Sequence, residues 1–316
     1  MEPRDNLFEL HFPVPELAGE NGDGPVLIHA LEGFTDAGHA VRLAATHLRD
    51  SLEAEPVAAF DIDELLDYRS RRPMMTFKTD HFEAYAEPEL TLYALKDLAG
   101  TPFLLLTGLE PDLRWERFVV AVRGLAEQLG VRRTIGLSAI PMAIPHTRPL
   151  GMTAHASDPE LIGDYQPWIG EVQVPGSASA LLEYRTGQAG AESVGFSVHV
   201  PHYLAQTDYP EAAQTLLEHV ADNAGLDLPL AALADAAARV REQVAEHLES
   251  NSEVASVVAA LERQYDTFIQ AQERRSSLLA EGVELPSGDE LGAEFERFLA
   301  EQGGWGLSDG DDKPKK

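Results

Sequence analysis

The chain has 316 residues, of which 44% are hydrophobic, enough to build a buried core. Its 24 basic and 53 acidic residues give a formal net charge of -29, which argues against nucleic acid as a partner because phosphate binding needs clustered Lys and Arg. The lack of cysteine excludes disulfides, thiolate nucleophiles and Cys-based zinc sites. No apolar signal region or membrane-spanning stretch is present, so we expect a cytoplasmic protein that does not contact the membrane.

The stretch VLIHALEGFTDAG, residues 26–38, predicts a strand, a tight turn and the start of a helix. Thr35 or Asp36 can cap the free N–H groups of that helix. Its buried face would carry the apolar residues that recur at helical spacing: Val41, Ala44, Ala45, Leu48 and Leu52. Open α/β proteins bind ligands at such junctions, so this turn marks the first candidate site.

The next elements alternate between short apolar runs and turns. After an apolar run at residues 57–61, the basic run RSRR at 69–72 is interpreted as a solvated loop. Two β-prone runs within residues 73–87 predict a hairpin. Residues 90–95 and 102–107 predict two strands, the second buried on both faces.

The pattern then repeats as strand, turn and helix. Residues 115–129 have helical periodicity, and residues 134–140 predict another strand. Three prolines make residues 141–149 irregular. Further along the chain, the sequence predicts a helix that opens at residues 175–177, a strand at 193–200 and a helix at 210–224.

The last part of the chain changes character, because residues 229–302 contain almost no strand signal and show two long apolar stripes at helical spacing. A capping-box pattern at residues 250–253 predicts a turn between two antiparallel helices, and a similar pattern at 287–290 predicts a third, shorter helix. Residues 303–316 are typical of a disordered tail.

Several ordered motifs carry a resemblance to a known family: LEGFTDAG at 31–38, GLEPDLRW at 108–115, IPHTRP at 144–149, PGSA at 175–178 and HVPHY at 199–203. In combination they resemble the proteasome-assembly-chaperone-like family, in its uncharacterised bacterial branch, over roughly residues 25–225.

The resemblance implies a three-layer α/β/α core over residues 1–228, with a phosphorylase/hydrolase-like topology. It also implies a homo-oligomer, expected to be a trimer, with a hairpin insertion near residues 74–87 at the subunit contacts. The all-helical segment at 229–302 would act as a lid over a pocket. No specific reaction is implied.

Three carboxylates are candidates for ligand binding near predicted strand ends. Asp36 lies where a helix N-terminus favours an anion, although a role as helix cap explains it equally well. Glu32 and Glu110 end two strand-turn-helix units, and two carboxylates at neighbouring strand ends can act as acid and base. The sequence does not give their separation.

Histidines and one serine complete the candidate ligand-binding set. His146, Arg148, His199 and His202 fall in irregular segments or at strand ends, where they suit either structural anchoring or binding of an anion. Ser177 opens a predicted helix and suits either a cap or an anion contact. The His-x-x-His pair alone is no metal motif, and no hydrolase-elbow, Walker or dinucleotide pattern occurs, so we expect neither a metal nor a cofactor and assign no catalytic residue.

Two hypotheses follow from these observations. The first is a small-ligand-binding protein of phosphorylase or hydrolase type, in which Glu32, Asp36, Glu110, His146 and Arg148 converge beneath a helical lid. The second is an oligomeric scaffold or assembly factor whose surface binds other proteins without catalysis. The gathering of polar residues at turns after strands favours the first, whereas an exposed apolar patch would favour the second.

Overall fold

A computed structural model describes residues 7–17, 19, 23–163, 165, 170–250 and 252–278. Within these ranges, residues 7–165 and 173–265 belong to one compact unit. A second unit contains residues 170–172 and the end of the last helix, from residue 266 to 278. The predicted third short helix and the predicted tail lie outside the described residues.

An eight-stranded mixed sheet forms the centre of the first unit. Its strands in chain order are β1 (Phe8–Leu10), β2 (Val26–Glu32), β3 (Glu55–Phe60), β6 (Leu90–Lys96), β7 (Pro102–Leu109), β8 (Arg133–Met142), β9 (Met152–Ala156) and β10 (Glu192–Pro201). Their spatial order is β1-β3-β6-β7-β2-β8-β10-β9. The four strands β7, β2, β8 and β10 run parallel, and the strands on either side of them pair antiparallel.

Helices cover both faces of this sheet. In chain order, the helices of the described residues are α1 (Ala40–Ser51), α2 (Ile62–Leu65), α3 (Trp115–Gln128), α4 (Ala178–Gln188), α5 (Pro210–Ala224), α6 (Ala231–Ser250) and α7 (Ser252–Leu278). Leu48 of α1 and Leu216 of α5 belong to one buried cluster, whereas Phe118 of α3 and Leu182 of α4 belong to the cluster on the opposite face. The predicted three-layer α/β/α core followed by helices is confirmed.

The insertion predicted as a hairpin is a two-stranded sheet separate from the main one. Strand β4 (Met75–Lys78) pairs antiparallel with β5 (His81–Tyr85) across a turn at Thr79 and Asp80. Thr79 has a positive φ of 57°, as tight hairpin turns require. Every residue of both strands is exposed, so the hairpin contributes nothing to the core of its own chain.

The C-terminal helices begin close to the predicted boundary at residue 229. Helix α6 packs on α5, and it buries Leu233 and Ala237. In α7, the Tyr265 hydroxyl donates a 3.1 Å hydrogen bond to the carbonyl of Pro149. These contacts attach α6 and the part of α7 up to Tyr265 to the core, and the role of the helical segment as a lid stays a prediction. Across the described residues, no helix combines the length and the apolar composition needed to span a membrane.

Candidate functional site

Glu110 lies at the carboxyl end of β7, where it joins three segments of the chain. Its Oε2 accepts a 3.1 Å hydrogen bond from the Phe34 N–H, and its Oε1 accepts a 2.7 Å hydrogen bond from the Ala178 N–H. The residue is buried, and a Cβ at Gly33 would lie only 2.0 Å from Oε2. Glycine at position 33 therefore lets the turn after β2 close over the carboxylate, whose two oxygens both accept from backbone N–H groups.

Asp36 occupies the turn between β2 and α1. Its Oδ1 accepts a 2.7 Å hydrogen bond from the Val41 N–H in the first turn of the helix. Burial raises the pKa of Asp36 and outweighs the opposing effect of these backbone hydrogen bonds. The same turn is joined to β8, since the Ala139 N–H donates to the Thr35 carbonyl at 2.7 Å. The turn therefore pairs with β8 next to the end of β2, where the sequence placed a candidate ligand site.

Glu32 differs from these two carboxylates. It is half-buried at the end of β2, and its side chain accepts no hydrogen bond from any residue that the structure describes. Burial raises the pKa of Glu32, and the nearby Arg42 guanidinium partly opposes this shift. Of the predicted site residues, Glu32 has the carboxylate most open to a further partner.

Ser177 is the cap of α4. Its Oγ accepts a 3.0 Å hydrogen bond from the Ala180 N–H, and the residue is buried. The structural interpretation of this serine accounts for its geometry, because a capping hydroxyl satisfies one of the free N–H groups of the helix.

The segment at residues 141–149 holds His146 and Arg148 against two other parts of the chain. The Tyr203 hydroxyl accepts from the His146 N–H at 2.8 Å and lies 2.7 Å from His146 Nδ1. Arg148 pairs with Glu262 of α7 at 3.3 Å, and the Thr147 hydroxyl donates to the same carboxylate. Burial lowers the pKa of His146. Both predicted site residues thus anchor the loop.

His199 and His202 do not share a site. His199 is buried on β10, with Nε2 2.8 Å from the Thr153 hydroxyl, and burial lowers its pKa to about 4. His202 is exposed, and its ring meets the Tyr203 ring edge to face at 5.4 Å. Among the described residues, no three His, Asp or Glu side chains are arranged to hold a metal ion.

A polar row crosses the sheet beneath α4, from the buried His29 to the exposed His155, and the sequence patterns did not identify it. His29, Gly136, Gly195 and His155 are paired in register on β2, β8, β10 and β9. The two glycines leave room for Glu183 of α4, whose Oε2 lies 2.5 Å from His155 Nε2. This hydrogen bond raises the pKa of His155.

His29 forms the closed end of that row. Ser179 Oγ lies 3.0 Å from His29 Nδ1, and Nε2 has no hydrogen-bond partner within the described part of the chain. The ring is fully buried, and burial lowers the pKa of His29. A neutral imidazole is the expected form. Spacing along the chain could not reveal this contact, because the two residues are 150 positions apart.

Away from the predicted crevice, a cleft of about 690 Å³ lies between the end of β3, the start of β6 and the base of the hairpin. We call it the acidic cleft. Its titratable carboxylates are Glu9, Asp61, Asp63, Glu87 and Glu89, and its aromatic residues are Phe8, Phe60, Tyr68 and Tyr85. No basic side chain is among the described residues that line it. The hydrogen bond from Tyr68 to Asp63 raises the pKa of Tyr68 to about 12.

Comparison with known proteins gives one family and several related structures. The PAC2 family model matches residues 30–248. A Mycobacterium tuberculosis protein of unknown function is 67% identical, with a TM-score of 0.85 over 86% of this chain and 93% of its own. A Corynebacterium glutamicum protein of unknown function is 44% identical, with a TM-score of 0.81 over 84% and 99%.

A third similar structure has a more informative name. It is a proteasome-assembly chaperone homologue from Mycobacterium tuberculosis, 26% identical, with a TM-score of 0.68 over 74% of this chain and 99% of its own. A search among the curated proteins finds no match.

Proposed function

Because the chain belongs to the PAC2 family, we propose that it is an oligomeric assembly factor that binds protein chains, including further copies of itself, through the hairpin β4–β5. The observation that carries the proposal is the apolar surface of this hairpin. Met74 is 76% exposed, Phe77 58% and Phe82 63%. Large apolar side chains gathered on one projecting element are typical of a protein interaction site.

The geometry of the hairpin supports this role. The Phe77 and Phe82 rings meet nearly edge to face at 5.2 Å, so the two strands present one joint aromatic surface. An isolated two-stranded hairpin is only marginally stable in water. Burial of these rings against another chain would stabilise the hairpin by removing apolar area from water.

The comparisons and the predicted site point the same way. Similarity to a proteasome-assembly chaperone homologue supports a role in assembly. The form we propose is a trimer in the cytoplasm. Hydrogen bonds within the chain involve Asp36, Glu110, His146 and Ser177. These hydrogen bonds support a structural role for the four residues.

The experiment is to measure the molar mass of the unaltered protein and of the double variant Phe77→Ser/Phe82→Ser by light scattering after gel filtration. We expect the unaltered protein to be an oligomer and the variant to be a monomer with the same circular dichroism spectrum, and the melting temperature should fall because the stabilising association is lost. Leu98→Ser/Val120→Ser removes two exposed apolar side chains elsewhere and should leave the oligomer intact. An unaltered protein that is monomeric, or a hairpin variant that keeps its mass, would refute the proposal.

Glu32 favours a second candidate function, the binding of a small ligand at the strand ends. Its half-buried carboxylate, with a pKa raised by burial, would accept a hydrogen bond from a ligand hydroxyl or amide. A thermal-shift screen with nucleosides, phosphate, small peptides and carboxylic acids tests this, because ligand at a hundredfold excess over Kd adds about 2.7 kcal/mol. The shift should disappear in Glu32→Gln. If no compound shifts the melting temperature, this second function is abandoned.

A further inference from the structure

We propose that the acidic cleft of one copy binds the guanidinium groups of Arg69 and Arg72 from a second copy of the chain. This inference rests on the proposed association through the hairpin and names a second contact within the same interface. The acidic cleft supplies the surface, an anchored turn supplies the cations, and the hairpin lies next to both.

The walls of the acidic cleft suit a guanidinium group in two ways. Carboxylates supply charge and hydrogen-bond acceptors, even though Glu89 already pairs with Arg49 and Asp63 accepts from Tyr68, and the faces of Tyr and Phe rings attract cations. The volume of about 690 Å³ is sufficient for two arginine side chains, since drug-sized pockets span roughly 300–1,000 Å³. Tyr68 and Tyr85 stand beside the carboxylates, so charge and aromatic surface occur together.

The turn at residues 67–71 contains Arg69, is followed directly by Arg72, and is anchored by hydrogen bonds. The Asp67 carbonyl accepts hydrogen bonds from the N–H groups of Ser70 and Arg71. Arg71 pairs with Asp112 at 3.0 Å and donates to the Glu110 carbonyl at 3.1 Å. Arg71 therefore ties the predicted solvated loop to the strand ends, whereas Arg69 and Arg72 are exposed.

The exposed guanidinium groups lack partners within the described part of their own chain. Neither Arg69 nor Arg72 forms a side-chain hydrogen bond or ion pair there, even though the neighbouring Tyr68 lines the acidic cleft. In a chain with a net charge of -29, RSRR is one of two four-residue runs that carry three basic side chains, the other being KPKK at 313–316. The acidic cleft has the opposite charge, so the basic turn of one copy is complementary to the acidic cleft of another.

The acidic cleft adjoins the hairpin, and this favours a second copy of the chain as the source of the arginines. Tyr85 belongs to β5 and also lines the acidic cleft, and residues 87–89 of the cleft connect the hairpin to β6. Two copies that associate through their hairpins would therefore bring the basic turn and the acidic cleft to the same interface. Both an isologous dimer and a closed ring can repeat such a contact.

Charge reversal with rescue tests the contact. Two double variants reverse the charge on one side of the contact each: Arg69→Glu/Arg72→Glu and Glu9→Lys/Glu87→Lys. Each should raise the dissociation constant of the oligomer about tenfold, as measured by sedimentation velocity. The fourfold variant that combines both reversals should restore it. Lys96→Glu/Arg239→Glu makes the same change in net charge at exposed sites elsewhere and shows how much of the effect is general repulsion.

The outcomes separate this inference from the proposed function. If the hairpin variant dissociates but the arginine variant does no more than its charge-matched control, the contact between cleft and turn is wrong and the hairpin contact stands. Failure of the fourfold variant to recover affinity, with an unchanged melting temperature, also overturns the inference. A third outcome is that the hairpin variant stays oligomeric, each charge reversal dissociates the otherwise unaltered protein, and the fourfold variant forms the oligomer again. In that case the cleft contact stands and the hairpin contact is wrong.

Discussion

Glu110 holds three segments together with one buried carboxylate, and its replacement should show how much this link contributes. Glu110→Gln leaves one carbonyl oxygen and places an amide NH₂ against an N–H donor, at either Phe34 or Ala178. We expect a loss of about 1.5–3 kcal/mol in the free energy of unfolding, the range for hydrogen bonds to charged groups. Urea unfolding measures it. Glu127→Gln on the exposed side of α3 is the control, and equal stability of both variants would contradict the structural role.

His199 should make the protein sensitive to acid. Burial lowers its pKa to about 4 in the folded chain, against about 6.5 when unfolded, so the unfolded state binds the additional proton between these values. Stability that is present above pH 6.5 is therefore lost as the pH falls toward 4. The contribution has a slope of up to about 1.4 kcal/mol per pH unit.

The variant His199→Gln should reduce this slope, as measured by urea unfolding at several pH values between 7.5 and 4.5. His202→Gln, which changes an exposed histidine three residues away, should leave the slope as it is. A slope that is the same in all three proteins would show that His199 does not bear the acid sensitivity.

At the scale of elements, the start of α1 depends on a side chain outside the helix. His39, which precedes the helix, has a positive φ of 48° and supplies no capping hydrogen bond, so Asp36 caps the first turn from a distance. Asp36→Ala should destabilise the fold by about 1 kcal/mol, the usual cost of a lost cap. Thermal unfolding checks it, with Asp36→Asn as the variant that keeps an acceptor oxygen. Unchanged or increased stability in Asp36→Ala would favour a functional role kept at a stability cost.

The same elements show what local sequence patterns reveal. Strand β7 was predictable because an apolar run bounded by turn residues is typical of a strand buried on both faces. Strand β1 was missed because three residues with alternating burial are too short to produce a pattern. The row of His29, Gly136, Gly195 and His155 was also missed, since register across four strands is a tertiary property. Residue types suggested a site at the strand ends, but they could not show that the Asp36 and Glu110 carboxylates accept hydrogen bonds from backbone N–H groups whereas Glu32 does not.

At the scale of the whole molecule, the net charge of -29 opposes any association between copies. An oligomer must therefore gain more from its local contacts than it loses to this repulsion. Apolar burial at the hairpin depends little on charge. The proposed ion pairs between the basic turn and the acidic cleft would offset part of the repulsion. Repulsion between the net charges and the contacts at the interface respond differently to salt, so a salt series can separate their contributions.

Salt should strengthen the oligomer. The screening length is about 10 Å at 0.1 M salt, so a rise from about 20 to about 300 mM NaCl removes repulsion between distant surface charges while partly buried contacts are screened less. We expect the dissociation constant from sedimentation velocity to fall over this range. In Arg69→Glu/Arg72→Glu the fall should be steeper, because that variant lacks the attractive pairs that salt weakens. A dissociation constant that rises with salt would mean that local ion pairs, rather than apolar burial, dominate the association.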